Sequence, residues 1–450
     1  MAATWSTEQV LALAPDAGSA KAGKDLANPR KWSGLGRDEV AAWGECQGSG
    51  ASPYQAKIDL GEPAFHCTCP SHKFPCKHAL GLFLLLAQQP AAFTAGTPPA
   101  WVADWLAARA KREEQKAKKA QKAEQPAGEV DPEQARRAAE RQQKSAAERQ
   151  AKVDAGLNDL DRWLGDLARR GLAAVRGEPY SFWEWPAARM VDAQAPGVAR
   201  WIRDMAGIPS SGDGWQDRLL ERLGRLSLLL EGYRRLDQLP AETRADIRAL
   251  VGWTQSQEEL LASAGVRDRW AVLGQRVEDD DRLRVQRRWL RGESTGRDAL
   301  VLHFAHGVQP LDASLVPGTV IDAELVFFPG AYPLRALVKT RHAQPDSLAA
   351  WPGFAAVEEA LAAYASALAC NPWVERFPLA LRDVVPVARD GSWAVRDAAG
   401  QVLALSPKFV RAWTLMALGG GRPLSLFGEW DGDACLPLGI WADGRFLTTS

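Results

Sequence analysis

Residues Phe65–His78 contain Cys67, Cys69 and Cys76 together with His66, His72 and His78. That is half of the six cysteines and half of the six histidines in a chain of 450 residues. Thiolate sulfur and imidazole nitrogen are the donors that zinc takes in a tetrahedral shell. The spacing Cys67-x-Cys69-x6-Cys76-x-His78 supplies four of them in two pairs. Cys67 and Cys69 lie two apart on an extended segment. They point to one side if the strand ends in a tight turn, which Pro70 favours. Cys76 and His78 flank Lys77 at the start of a helix, where free backbone N–H groups favour thiolate. Lys73 and Lys77 add positive charge beside a Cys3His site that is formally anionic with its ion. Four protein ligands close the shell, whereas a catalytic zinc keeps a position for water, so a structural Zn2+ is expected. His66 alternates to the side opposite Cys67, and His72 lies in the loop; these two are the alternative ligands. The competing explanation is a chance cluster of buried thiols.

Three elements must position these donors. Tyr54–Leu60 (YQAKIDL) alternates as a strand with Tyr54, Ala56, Ile58 and Leu60 on one face. GEP turns the chain, and AFHCTC reads as a second strand. CKHALGLFLLLAQQ continues as a helix that Pro90 ends. Such a ββα unit has a thin core, and zinc binding is worth on the order of 10–16 kcal/mol in peptides of this kind. The metal is therefore expected to dominate its stability. The helix face of Leu80, Leu82, Phe83, Leu84, Leu85 and Leu86 is expected to pack on Ile58, Leu60 and Phe65, and on the following WVADWL.

The stretch CTCPSHKFPCKHALGLFLL resembles a SWIM zinc finger, whose pattern is C-x-C, a variable gap, then C-x-H opening a helix. Cys67, Cys69, Cys76 and His78 stand at the four positions, and the lead-in YQAKIDLGEPAFHCTCP is similar as well. The resemblance covers residues 40–90. It implies a zinc-binding module with DNA-binding or protein–protein roles, and the larger chain is similar to bacterial SWIM-containing proteins. It names no activity.

Net charge is zero and charged residues make up 24%, so the whole molecule has no electrostatic reason to seek nucleic acid or an anionic membrane. No run of about 18 apolar residues occurs, which excludes a helical membrane span. The first residues lack the basic start and apolar segment of a signal peptide, and cytoplasm is the expected location. Uneven cysteine spacing argues against a disulfide framework; Cys46, Cys370 and Cys435 read as core residues.

The expected fold class is α+β: a small zinc-stabilised ββα unit, a helical middle and a mostly β C-terminal region. The expected domains are 1–104 (finger), 105–152 (charged helical linker), 153–266 (helical) and 267–450 (β-rich). In the first of these, Ser6 and Gln9 form a capping box, and the Gly/Pro-punctuated segment after it reads as extended. The linker is Ala, Glu, Gln, Lys and Arg with no apolar seam. After Arg267 the apolar period becomes two, and RWAVLGQRV and RLRVQRRWL flank EDDD as a hairpin. WTLMALG is read as one of several further strands, and one helix is expected at 347–369.

Other chemistry is weaker. Glu278, Asp279, Asp280 and Asp281 could hold a cation but read better as a hairpin turn. His303 and His306 fall on opposite faces of a strand. The glycines at 419–421 lack the Lys and Ser/Thr of a phosphate loop. No catalytic motif is present. Lys111, Arg112, Lys116, Lys118, Lys119, Lys122, Arg136, Arg137 and Arg141 could neutralise phosphates, but glutamates interleave with them. The expectation is a zinc-stabilised, non-catalytic binding module with a protein partner favoured. The alternatives are an enzyme with its site in the C-terminal region, and a DNA-binding protein using the finger and the basic linker.

Overall fold

A computed structural model describes residues 5–449 apart from 12, 16, 48–51, 62, 72, 112–131, 281–282, 307–308, 310 and 390. The chain is α+β in the expected order. Helix α1 (Thr7–Leu11) opens with the capping box: Ser6 Oγ accepts the Gln9 N–H at 3.1 Å and Gln9 Oε1 accepts the Ser6 N–H at 2.8 Å. The segment expected to be extended is instead helix α2 (Ala17–Leu26). Its Ala/Lys composition suits a helix, and a close approach to the finger helix α3 (Lys77–Gln88) holds it. A Cβ added at Gly81 would lie 2.6 Å from Leu26 Cβ.

The finger is larger than a ββα unit. Strands β1 (Trp32–Arg37), β2 (Ala41–Cys46), β3 (Tyr54–Asp59), β4 (Ala64–Cys67) and β5 (Thr94–Ala95) form one sheet in the order β4-β3-β2-β1-β5. Helix α3 is sandwiched between this sheet and α1 and α2, which is why His78–Leu86 is buried on every side. WVADWL does not pack on α3. It belongs to a helix through residues 100–111, α4, that covers the opposite face of the sheet, where Val102 joins Ala41 and Trp43. Lys57 is buried there, its ammonium donating to Trp101 O at 2.6 Å and lying 5.1 Å from the Trp101 ring centre.

Helix α5 (Pro132–Arg170) runs without a break across residue 152, so linker and bundle share one rod. It enters the bundle where Arg149 donates to Gly252 O and Gln150 reaches the Tyr233 hydroxyl. With α6 (Tyr180–Asp192), α7 (Pro196–Met205), α8 (Trp215–Arg234) and α9 (Ala241–Val251) it encloses a core that includes Leu157, Leu160, Trp183, Ile202 and Leu226. The short α10 (Gln257–Ala262), capped by Ser256 as its sequence suggests, leads into the β region. No described helix is long and apolar enough to cross a membrane.

The β region holds two rings of the same connectivity. In the first, β6 (Val266–Asp280), β7 (Leu283–Gly292) and β8 (Asp298–His306) form a meander. Strand β9 (Thr319–Phe327) pairs antiparallel with β6, and β10 (Arg335–Arg341) closes the ring by pairing with both β9 and, in parallel, β8. The short β11 (Asp346–Ser347) flanks β9, and α11 (Val357–Cys370) leads to the second ring. There β12 (Phe377–Arg389), β13 (Ser392–Arg396) and β14 (Val402–Ala404) form the meander, β15 (Leu424–Trp430) pairs with β12, and β16 (Cys435–Ala442) pairs with β15. A parallel bridge between Leu405 and Cys435 closes it, with the Ser406 N–H donating to Cys435 O at 2.8 Å. Both are five-stranded Greek-key barrels of strand order 1-2-3-5-4. WTLMALG, read as a strand, is helix α12 (Ala412–Gly419). It packs Leu415 into the second barrel and ends at Gly420, whose φ of 54° is the left-handed C-cap conformation. Strand β17 (Arg445–Thr448) flanks β16.

The finger unit rests on the first barrel. Gln9 Nε2 donates to Gly318 O at 3.0 Å, and Val316 joins the core of the finger.

Candidate metal centre

Cys67 ends β4, and Cys69 follows it at the turn. Cys76 is the N-cap of α3, its sulfur accepting the Ala79 N–H at 3.4 Å, and His78 sits in the first helical turn. The strand and the helix start thereby bring the two pairs together. The three sulfurs and a ring nitrogen of His78 all lie within 4.8 Å of one another. Cys67 Sγ and His78 Nδ1 are 3.8 Å apart. A tetrahedron with metal–sulfur bonds of about 2.3 Å has edges of about 3.8 Å, so the donor spacing fits zinc. Cys76 and His78 are buried, while Cys67 and Cys69 are half-buried. The His78 ring packs on Tyr54, 5.0 Å between centres, which fixes its orientation.

The donors also have the electrostatics of a ligand set. A hydrogen bond from the Cys67 thiol, assisted by His78 and the Ala79 N–H, holds Cys76 down at about 4. The same hydrogen bond, with burial, pushes Cys67 up, and burial raises Cys69. Three sulfurs crowded together cannot all be thiolates without a cation among them. A divalent ion that displaces the remaining protons removes this conflict.

His66 projects away from the centre, its ring 6.3 Å from that of Trp105, and burial together with Lys57 pushes its pKa down. His72 lies outside the described residues. The acidic run forms the end of the β6–β7 hairpin. Asp279 pairs with Arg284 and Asp280 with Leu283 in the ladder, while Glu278 bonds to Arg276 and Arg287; Asp281 lies outside the described residues. His303 Nδ1 accepts the Asp312 N–H at 3.3 Å and has no metal-like companions among the described residues. The glycines at 419–421 end α12 and turn toward β15. Of the basic linker, Lys111 ends the described part of α4, and Arg112, Lys116, Lys118, Lys119 and Lys122 lie outside the described residues. Arg136 and Arg137 form exposed pairs with Glu140 and Glu133. The supporting Tyr54 contact was not legible in the sequence, although Tyr54 was placed on the face of β3 that meets the finger helix.

Comparison with known families agrees with this geometry. Residues 65–87 match the model of the SWIM zinc finger, and residues 148–251 match that of the SWIM-associated four-helix bundle domain. Neither the curated proteins nor the solved structures contain a significant match to the chain. The chain thus carries a SWIM zinc finger with the four donors of a structural zinc site and, on the same polypeptide, the SWIM-associated four-helix bundle domain.

Proposed function

We propose that this protein is a cytoplasmic, non-catalytic binding protein. Its zinc finger braces the N-terminal unit against the barrels, and its helical bundle engages a protein partner. One observation carries the non-catalytic reading. The buried and half-buried carboxylates of the β region are committed to partners that favour the charged form: Asp298 to Arg291, Asp312 to Arg288, Glu429 to Arg287, and Asp268 and Asp397 to two or more backbone N–H groups each. A general acid or base needs a carboxyl that can exchange a proton near the working pH, and such partners oppose that. The metal offers no open position either, because four protein donors complete its shell.

A protein partner is supported by the bundle surface, where Tyr180, Trp185, Leu220 and Leu228 are exposed. Exposed aromatic and aliphatic side chains of this kind act as anchors at interfaces. The test is affinity capture with the full chain and with a Trp185→Ser/Leu220→Ser variant, followed by titration of the identified partner. The reading predicts a partner whose affinity falls at least tenfold in the variant. Equal binding by both proteins would exclude the bundle surface. Turnover by the purified chain would exclude the non-catalytic role.

A further inference from the structure

One face of β7 changes character along its length. Leu290 belongs to the apolar core of the first barrel, and Arg288, Gln286 and Arg284 share its face of the strand. Across the ladder, past the bulge at Val272 and Gly274, they stand opposite Gln275, Val277 and Asp279. This polar end of the ribbon borders a cavity of about 780 Å³ at the mouth of the barrel. The finger unit supplies Leu13 and Lys24 to its lining, and Phe74 and Pro75 from the loop between the metal-ligand pairs. The second barrel supplies Arg411 and Leu447. Barrel mouths and domain junctions are where small-molecule sites occur, and about 300–1,000 Å³ is their usual size.

Two polar groups in the ribbon wall are held in place but unmatched. Gln275 Oε1 accepts from Arg288 Nε at 3.0 Å and from Gln286 Nε2 at 3.3 Å, and Arg288 is held in turn by Asp312 at 2.7 Å. This chain fixes the Gln286 amide, because Gln275 presents an oxygen and only the amide nitrogen can meet it. The Gln286 Oε1 is left with no hydrogen-bond partner among the described residues, although the side chain is only 3% exposed. Arg284 donates one Nη to Gln309 O, and its Nε finds no acceptor among the described residues. A buried acceptor and donor left unmatched cost free energy unless a ligand completes them. With Arg288 and Asp312 paired, the lining sets Lys21, Lys24, Arg284 and Arg411 against Asp279, a cationic excess. Leu11, Leu13, Phe74, Leu311 and Leu447 make another part of the lining apolar.

We propose that the mouth of the first barrel binds a small organic anion with an apolar body. Its head group lies against Arg284, with Lys24 and Arg411 around it. A donor on the ligand meets Gln286 Oε1, and the apolar body covers Leu13, Phe74 and Leu447. An inorganic anion would use the cations and leave the apolar lining wet, and a neutral hydrocarbon would do the reverse. Carboxylate and phosphate share the head-group chemistry. Phe74 and Pro75 lie between Cys69 and Cys76 in the chain, so a ligand packed on them restrains the metal-binding loop and slows zinc loss.

The test is calorimetric titration of the full, zinc-loaded chain with β-hydroxyoctanoate and, separately, with octyl phosphate. At least one should bind, and the better of the two names the head group. Octanol and inorganic phosphate should each bind roughly tenfold more weakly or not at all. The double variant Lys24→Glu/Arg411→Glu changes two exposed side chains and should weaken the organic anion by roughly tenfold or more. Zinc loss to excess EDTA should slow when the wild type is saturated with the organic anion. Failure of both anions to bind would overturn the proposal, as would octanol or inorganic phosphate binding equally well. So would an unchanged affinity in the double variant, or zinc loss indifferent to the bound anion. No residue of the helical bundle lines the cavity, so failure here is separable from failure of the protein-partner reading.

Discussion

Glu429 on β15 of the second barrel reaches Arg287 on β7 of the first, with Oε1 2.9 Å from Nε and both side chains at most 6% exposed. The same carboxylate oxygen accepts the Trp289 indole N–H at 2.8 Å. Around this pair, Leu273, Trp289, Phe427 and Leu438 form a core shared by the two barrels. The barrels therefore meet through a buried charge pair set in an apolar seam. Such a pair is costly to break and comparatively cheap to replace.

Removing one partner should be severe. Glu429→Ala leaves the buried Arg287 guanidinium with Glu278 as its remaining carboxylate and the Trp289 indole N–H without its acceptor, and a loss of up to about 3 kcal/mol is expected. The double variant Glu429→Leu/Arg287→Met should recover most of that loss. Urea unfolding, together with hydrogen exchange across β7 and β15, checks both. Equal destabilisation by the single and double variants would show that the charge pair itself holds the barrels together.

Glu278 gives this region a pH dependence. The Arg287 guanidinium, helped by Arg276, holds its carboxyl at about 2, against an ordinary value of 4.5. Because the folded value is the lower one, its contribution is complete above about 4.5 and disappears as pH falls toward about 2. Glu278→Gln should be less stable than the wild type at neutral pH, and the gap should close on acidification. The carboxylate is over a third exposed, so solvent screening makes the gap small. A gap that widens in acid would contradict the assignment.

Loss of the metal should be local but transmitted one step. In Cys76→Ser, zinc content should drop and exchange at Leu82, inside the buried helix α3, should accelerate. Protection at Val316–Gly318 should fall too, because Gln9 and Val316 join finger to barrel. Amides of α8 should keep their protection. Metal analysis and hydrogen exchange on the same sample read all three responses.

Two helix glycines should respond in opposite ways. A Cβ at Gly197 would lie 2.0 Å from Leu250 O, so Gly197→Ala should cost about 1–3 kcal/mol by forcing α7 from α9. Gly224 in α8 has open space around it, and Gly224→Ala should stabilise by up to about 1 kcal/mol. Urea unfolding followed by helical circular dichroism separates the two.

The metal centre was legible because its four donors are close in sequence and their types are rare in the chain. The helices of the bundle were legible from leucine spacing and caps, Ser256 among them. The barrels were visible only as a series of strands. Their closure depends on the approach of Leu300 to Leu334 and of Ser406 to Cys435, which no local pattern encodes. The apolar run at Trp413–Gly419 was too short for its period to separate strand from helix. Gly420, in the left-handed conformation that ends α12, was the overlooked cue. Helix α2 was missed because its glycines read as breakers, whereas Gly23 and Gly81 serve helix contact.

Between its third and fourth strands the second barrel carries α12, which seats Leu415 in its core. The first barrel has no described helix at the equivalent place; its chain runs there as the segment that ends at Val316 and Gly318. These are the residues that receive α1 and the finger core. The finger unit thus meets the first barrel at the place in its strand order that α12 takes on the second, so one barrel is covered by a neighbouring module and its twin by a helix of its own.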